Sequence, residues 1–299
     1  MKKNTKAAKF LLLSLLSAVI SALFQCFGAP FVRVTRIVYG AKAFWIAGVV
    51  YAALLSFVSP LFGCMVAGIW MSVGFYTEFE FRGRTSFTYA LLSTVMSLTL
   101  SLILPVVIMN SMGGSVLEAM DITKQSLIDT IKTTMNGNTS FYLGPISIDL
   151  QNIVYLLPSL IFVVYAYSIA FALIFGQRTA VMMNEKVTKI ASGLRLLDFK
   201  LPDYMIWVAM ISFLLSFYTL KNQFITYTAL NIFNISLSIY LLQGIAILEV
   251  LLLVFRAGFF LRMFVYVFIV GQLFFLFGFV GIVDYWVDFR RRLKKRMTN

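Results

Sequence analysis

Long apolar runs separated by short polar breaks make up most of this chain of 299 residues. A membrane-spanning helix needs about 20 consecutive apolar residues. The pattern therefore predicts an all-α integral membrane protein, a bundle of about eight transmembrane helices with one or two amphipathic interfacial helices. The predicted spans are 10–32, 44–58, 61–76, 88–109, 153–176, 204–220, 226–255 and 259–283.

The polar breaks leave no separable soluble domain, so 1–299 is a single polytopic membrane domain. Segments 110–151 and 177–201 are predicted amphipathic connections, the first with an in-plane helix over 115–135. Segment 284–299 is a basic tail, and Ser59-Pro60 predicts a tight turn. Charged residues predict two more short connections: a basic one with Arg33, Arg36 and Lys42, and a surface loop with Glu78, Glu80, Arg82 and Arg84.

The run 224–256 differs from the others because polar residues recur along it at helical spacing. With 100° of rotation around the helix axis per residue, five of its polar residues point within about 60° of one another. Gln243 lies about 120° around the axis from Asn231. Gln272, in the last predicted span, is a further polar group that is able to face them. We call the aligned residues the polar stripe: Asn231, Asn234, Ser238, Glu249 and Arg256.

The polar stripe has two interpretations. Asn and Ser commonly bridge membrane helices, which favours a structural role. A carboxyl group such as Glu249 costs about 2.5–3.5 kcal/mol in the membrane interior unless it is paired, protonated or facing a polar cavity. Glu249 therefore stays neutral, pairs with Arg256 or Arg262, or handles a ligand or proton in a cavity lined by the stripe.

The last predicted span carries small and acidic residues with structural interpretations. Gly271, Gly278 and Gly281 predict a close approach between helices. Asp284 and Asp288 precede the basic run, and we interpret them as interfacial partners of the arginines at 290–292.

Composition narrows the function classes. Hydrophobic residues make up 61% of the chain and charged residues 12%, which excludes an ordinary soluble domain. The formal net charge of +13 gathers at the termini and between apolar runs, where it indicates contact with anionic lipid head groups and not with nucleic acid. Histidine is absent, and no nucleotide-binding, hydrolase or metalloprotease motif is present, so we expect no enzyme, no cofactor and no metal site.

The charges leave the number of spans open. Lysines before the first run and the basic tail predict that both ends lie in the cytoplasm. With eight spans, segment 110–151 is cytoplasmic and 177–201 is outside. Their net charges of −2 and +3 favour the opposite sides, so both an even and an odd number of spans before these segments remain open.

Several stretches resemble a known family. The sequences APFVRVTRIVYGAKAFWIAG, LDFKLPDYMIW, LNIFNISLSIYLLQGIAIL and GIVDYWVDFRRR together resemble the YybS-like family of uncharacterised bacterial membrane proteins. The resemblance implies a helical layout similar to that of the substrate-binding subunits of energy-coupling-factor vitamin transporters and of the cell-shape protein MreD. It implies no catalytic residue.

These observations favour a multi-pass protein of the bacterial inner membrane. The leading hypothesis is a non-enzymatic subunit that binds a small-molecule ligand or is associated with transport and acts with partner proteins in the membrane. The alternative is a structural scaffold in cell-envelope biogenesis, in which the polar stripe only holds helices together. A third hypothesis is a proton-coupled carrier that uses Glu249.

Overall fold

The structure is a computed structural model that describes residues 2–58, 60–111, 125, 128–129, 133, 140–143, 146–149, 155–183, 199–217, 223–258, 261, 264–265, 273–289 and 291–293. This part of the chain is helical almost throughout, as the apolar pattern predicts. Its helices are α1 (Lys2–Phe24), α2 (Ala29–Val58), α3 (Pro60–Phe81), α4 (Phe87–Ser111), α5 (Leu157–Met182), α6 (Tyr204–Phe217), α7 (Gln223–Val254) and α8 (Phe274–Val287).

A short hairpin is the exception among the described residues. Strands β1 (Ser140–Leu143) and β2 (Ile146–Asp149) pair antiparallel, with Ser140 opposite Asp149 and Leu143 opposite Ile146. The hairpin lies inside the predicted connection 110–151, where no strand was expected. Most of the amphipathic helix predicted over 115–135 lies outside the described residues.

The first predicted span does not end where the apolar run ends. A 3-10 turn over Gln25–Gly28 reverses the chain after α1, and α2 starts at Ala29. Only glycine fits the turn at position 28, because a Cβ there would lie 2.0 Å from the Ser21 Oγ atom. The predicted basic connection is therefore wrong, since Arg33 and Arg36 lie within α2 and are buried. A proline near a helix start, here Pro30, favours the helical backbone that follows.

A break at Gly40 divides α2. The backbone there has φ 85° and ψ 175°, a conformation that residues with a Cβ rarely adopt. The part of α2 after the break packs antiparallel to α3, with Gly48 against Trp70 and Gly63 against Ser56. The Trp70 Nε1 atom donates a hydrogen bond to the Phe44 carbonyl at 3.1 Å, which anchors the main hydrophobic cluster.

Helix α3 begins at Pro60, at the predicted turn, but it continues to Phe81. The prediction of a surface loop at Glu78 and Glu80 is wrong, because both belong to the last turn of α3. The connection to α4 is correspondingly short, and Gly83 turns it with φ +74°. We call this end of the bundle, where α3 ends and α4 begins, the charged end.

Within the part of the chain that the structure describes, three helical stretches are long and apolar enough to cross a membrane: Ala7–Val58, Leu157–Met182 and Phe224–Val254. Shorter apolar helices cover Phe87–Ile103, Tyr204–Ser216 and Phe275–Val287. Helix α5 extends beyond the predicted limit of 176, so Arg178 is helical and does not belong to the connection predicted over 177–201. Residues 184–198 of that connection lie outside the described part of the chain.

Helices α7 and α8 approach closely through glycines, as predicted. A Cβ at Gly281 would lie 2.1 Å from the Tyr240 carbonyl oxygen, and one at Gly278 would lie 2.7 Å from a Leu237 methyl group. Gly244 gives the matching space on α7, opposite the Phe277 carbonyl. Gly271, the third glycine of the prediction, lies outside the described residues.

Candidate functional site

The residues of the polar stripe that the structure describes have different contacts. Asn231 is bound to backbone: its side-chain oxygen accepts from Ser159 N at 3.2 Å, and its nitrogen donates to the carbonyls of Tyr155 and Tyr227 at 2.6 and 2.9 Å. Asn234 is half-buried and has no hydrogen-bond partner among the described residues. At Ser238 the backbone carbonyl is engaged, and it accepts the Tyr167 hydroxyl at 2.7 Å.

The other predicted site residues lie farther along the chain. Glu249 is half-buried in the last turns of α7. Arg256 lies beyond the end of α7, exposed, with φ 49°. Gln272 and Arg262 lie outside the described residues. The stripe thus stays a prediction, and the hydrogen bonds of Asn231 give this residue a role in holding helices together.

Gln243, which the helical wheel places off the stripe, is a buried side chain of α7 that hydrogen-bonds to two other segments. It is 2% exposed, accepts from Leu201 N at 3.2 Å, and donates to Asp284 Oδ2 at 3.1 Å. The second oxygen of Asp284 accepts from Phe289 N at 2.8 Å. Asp284 is therefore buried between helices. The pairing of Asp284 and Asp288 with the arginines at 290–292 stays a prediction, because the side chain of residue 290 lies outside the described residues.

The strongest charge pair lies between residues that the sequence assigned to connections. Arg33 Nη2 donates to both carboxylate oxygens of Glu80, at 2.6 and 2.9 Å, and Nη1 donates to the Ala172 carbonyl at 3.1 Å. Beside it, Arg36 Nη2 donates to Glu78 at 2.5 Å. A signal existed in the sequence: two arginines three residues apart and two glutamates two residues apart, on neighbouring segments of opposite charge.

A crevice opens beside this ion pair at the charged end. It has a volume of about 230 Å³ and lies between the end of α3, the start of α4, α5, the segment before α6, and α7. Its walls are almost entirely apolar, formed by side chains such as Leu91, Phe162, Ile169, Leu173 and Ile239. Small residues on two walls, Ala90 and Ala170, leave the space open.

Most of the polar residues that line the crevice lie at its mouth, and Thr94 lies deeper along α4. Thr85, Ser86 and Lys200 line it there, and the Tyr76 hydroxyl donates to the Thr85 carbonyl at 3.3 Å. Ser86 also begins α4, since its carbonyl accepts from the backbone N–H of Tyr89. Hydrophobic walls with a few polar groups at one end are typical of small-molecule sites.

A second hollow, of about 320 Å³, lies between α6 and α7. Ser212 and Thr228 are its only hydroxyl side chains, and exposed apolar residues such as Ile211 and Phe224 form its rim. Such a surface suits the lipid hydrocarbon and offers little to orient a specific ligand. The crevice at the charged end is therefore the candidate site.

Among the described residues, no group of three or more Cys, Asp or Glu side chains is placed to hold a metal ion. Comparison with protein-family models matches residues 6–285 to a family described as "Predicted membrane protein (DUF2232)". No curated protein and no solved structure matches the chain.

Proposed function

Since the chain belongs to the DUF2232 family of predicted membrane proteins, we propose that it is a non-enzymatic membrane subunit that binds a small, largely apolar ligand in the crevice at the charged end. The observation that carries this proposal is the crevice itself, an apolar space with hydroxyl groups and one lysine at its mouth. The site differs from the polar stripe, whose best-described member is already bound to backbone.

The volume and the position of the crevice suit ligand binding. Its 230 Å³ is just below the roughly 300–1,000 Å³ of pockets for drug-sized molecules, so a small molecule or a single chain is the fitting occupant. Helices α3, α4, α5 and α7 all contribute to the walls. A ligand there contacts both the first and the second half of the bundle, so its binding changes how the two halves pack and offers partner proteins something to detect.

The proposed location is the bacterial inner membrane, with about eight spans and both termini in the cytoplasm. Long apolar helices support a multi-pass arrangement. The basic N-terminus and the basic tail support the orientation, with anionic lipid head groups as their contacts.

The proposal includes partner proteins because the chain has no nucleotide-binding motif, so ATP-driven transport would need a separate subunit. The resemblance to YybS-like proteins, and through them to the substrate-binding subunits of energy-coupling-factor transporters, agrees with a binding role. It is analogy at the level of the fold and adds no site residue.

A scaffold in cell-envelope biogenesis is the second candidate. It is favoured by Asn231, whose side chain ties α7 to the start of α5 through two hydrogen bonds to backbone atoms, at Ser159 N and at the Tyr155 carbonyl. In that case the polar residues of α7 hold helices together and the crevice has no specific occupant.

Native mass spectrometry of the full-length protein, purified from its own membranes in mild detergent, distinguishes the ligand-binding proposal from the scaffold. Ala170→Phe fills the crevice, as does the smaller change Ala90→Leu from the opposite wall. Leu160→Phe is the matched control, because Leu160 is exposed on the same helix as Ala170. The binding proposal predicts a small molecule retained by the wild type and by the control and lost from both filled variants.

The scaffold predicts a different result. A wild-type protein that carries no small molecule, or a bound molecule that both filled variants retain, contradicts the binding proposal. Thermal unfolding of each variant shows whether a loss of ligand accompanies a loss of fold. Ala90→Leu adds less volume than Ala170→Phe. If Ala170→Phe unfolds the protein, Ala90→Leu still tests whether filling the crevice displaces the ligand.

A further inference from the structure

Lys200 is held in place at the mouth of the crevice by its two neighbours in the chain. Phe199 packs edge-on against Phe87, with ring centroids 6.5 Å apart. Leu201 is buried, and its N–H donates to the Gln243 side chain at 3.2 Å. The backbone on both sides of Lys200 is therefore fixed, while its own side chain is exposed and free to place the ammonium group at the membrane surface.

A second cation, Arg84, is fixed next to Thr85, which lines the mouth. The N–H of Arg84 donates to the Phe79 carbonyl at 2.9 Å, and its guanidinium lies over the Tyr89 ring at 5.5 Å. The nearby carboxylates of Glu78 and Glu80 are neutralised by Arg36 and Arg33. Lys200 and Arg84 therefore attract an anion to the mouth, against the exposed carboxylate of Asp203 that follows Lys200 in the chain.

The depth of the crevice matches one leaflet of a bilayer. Along α5 its lining residues run from Phe162 to Ile174, thirteen residues or about 18 Å of helix. Half of a typical hydrocarbon core is about 15 Å. An acyl chain that enters beside Lys200 can therefore follow the apolar walls towards the middle of the membrane, and the 230 Å³ of the crevice encloses part of its length.

We propose that the ligand of the crevice is an anionic phospholipid, with one acyl chain between α4 and α5 and its phosphate at Lys200. This inference rests on the proposed function and specifies its ligand class. Arg84 adds to the positive potential, and the hydroxyl groups of Thr85 and Ser86 are available to the head group. A neutral phospholipid fits the same apolar walls, but its head group has no net negative charge to interact with Lys200 and Arg84.

The test compares phosphatidylglycerol with phosphatidylcholine of identical chains, added to the delipidated full-length protein and counted by native mass spectrometry. We expect the wild type to bind the anionic lipid more tightly and Lys200→Gln to reduce that preference about five-fold. Arg82→Gln is the matched control, because it removes an exposed charge at the same end, where the Arg82 guanidinium pairs with Glu78 and does not line the crevice. It should retain the preference.

Two further arms separate the possible failures. Glycerol phosphate without chains should not displace the lipid; displacement would identify a free phosphate site and overturn the proposal. Equal binding of the two lipids, with Lys200→Gln unchanged and Ala170→Phe blocking both, overturns the anionic ligand but leaves the crevice as a binding site. If Ala170→Phe blocks neither lipid, the lipid proposal is overturned and the crevice loses its support as well.

Discussion

Arg33 and Glu80 form a buried ion pair that joins α2 to the end of α3. One guanidinium nitrogen of Arg33, Nη2, lies 2.6 and 2.9 Å from the two carboxylate oxygens of Glu80. Their side chains are 1% and 6% exposed. The Arg33 guanidinium also reaches the Ala172 carbonyl, and Gly176 gives it room, since a Cβ there would lie 3.1 Å from Nη1. Three helices therefore meet at one arginine, beside the crevice.

Removing one partner of this pair should be costly. We expect Glu80→Gln to lower the free energy of unfolding by about 3–5 kcal/mol, because it leaves the Arg33 charge buried without its counter-ion. Glu78→Gln is the comparison: it also removes the counter-ion of the buried Arg36, but the Glu78 carboxylate is 42% exposed, so water screens that pair and the loss should be smaller. Unfolding titrations in detergent measure both losses, and equal losses would contradict the assignment of Arg33–Glu80 as the central contact.

Asn231 and Asn234 should behave differently although the sequence places them on one stripe. Asn231→Ala removes hydrogen bonds to the backbone of Tyr155, Ser159 and Tyr227, and we expect a loss of about 1–3 kcal/mol. Asn234→Ala should change stability by less than about 0.5 kcal/mol. The measurement is thermal unfolding of the two variants side by side, and a larger effect at Asn234 would contradict the described contacts.

The sequence predicts the helices well and their polar contacts poorly, and these residues show why. Apolar runs report burial in lipid or protein, so α4, α6 and α7 fall close to their predicted limits. A charged residue in such a run predicts the end of a membrane span. Arg33 and Glu80 do not end their helices, because they neutralise each other across α2 and α3. That pairing depends on the chain reversal at Gly28, which no periodicity within one segment reveals.

Gln243 should hold the segment before α6 and the end of α8 against α7, and we call this set of contacts the clamp. Gln243→Leu keeps the size of the side chain but leaves the buried Leu201 N–H without its acceptor and removes one hydrogen bond from Asp284. We expect faster hydrogen exchange at Leu201 and in the segment after α8, where Phe289 N binds Asp284. Exchange rates equal to those of the wild type would contradict the clamp.

The close contact of α7 and α8 gives a steric prediction. Gly281→Ala places a methyl group 2.1 Å from the Tyr240 carbonyl oxygen, so the helices must separate, at a cost of about 1–3 kcal/mol. Gly258→Ala is the matched control, because a Cβ there meets nothing within 4 Å. Melting temperatures of the two variants test the prediction, and equal values would count against the described packing.

The helical wheel of α7 shows the same limit as the ion pair. It aligns Asn231 with Glu249, but the two residues lie eighteen positions apart along the helix and so meet different neighbours. Angle alone cannot tell which face of a long helix meets protein and which meets lipid. The crevice illustrates this further, because its walls come from helices far apart in the sequence, and only Lys200 and the hydroxyl residues mark it by their chemistry.

The most direct test of the binding account is electron cryo-microscopy of the full chain in discs of its native membrane lipid. The account predicts elongated density between α4 and α5, from Lys200 towards Phe162, that disappears in Ala170→Phe and persists in Leu160→Phe. A wild-type map in which neighbouring side chains close the crevice, with no density between its walls, would contradict it.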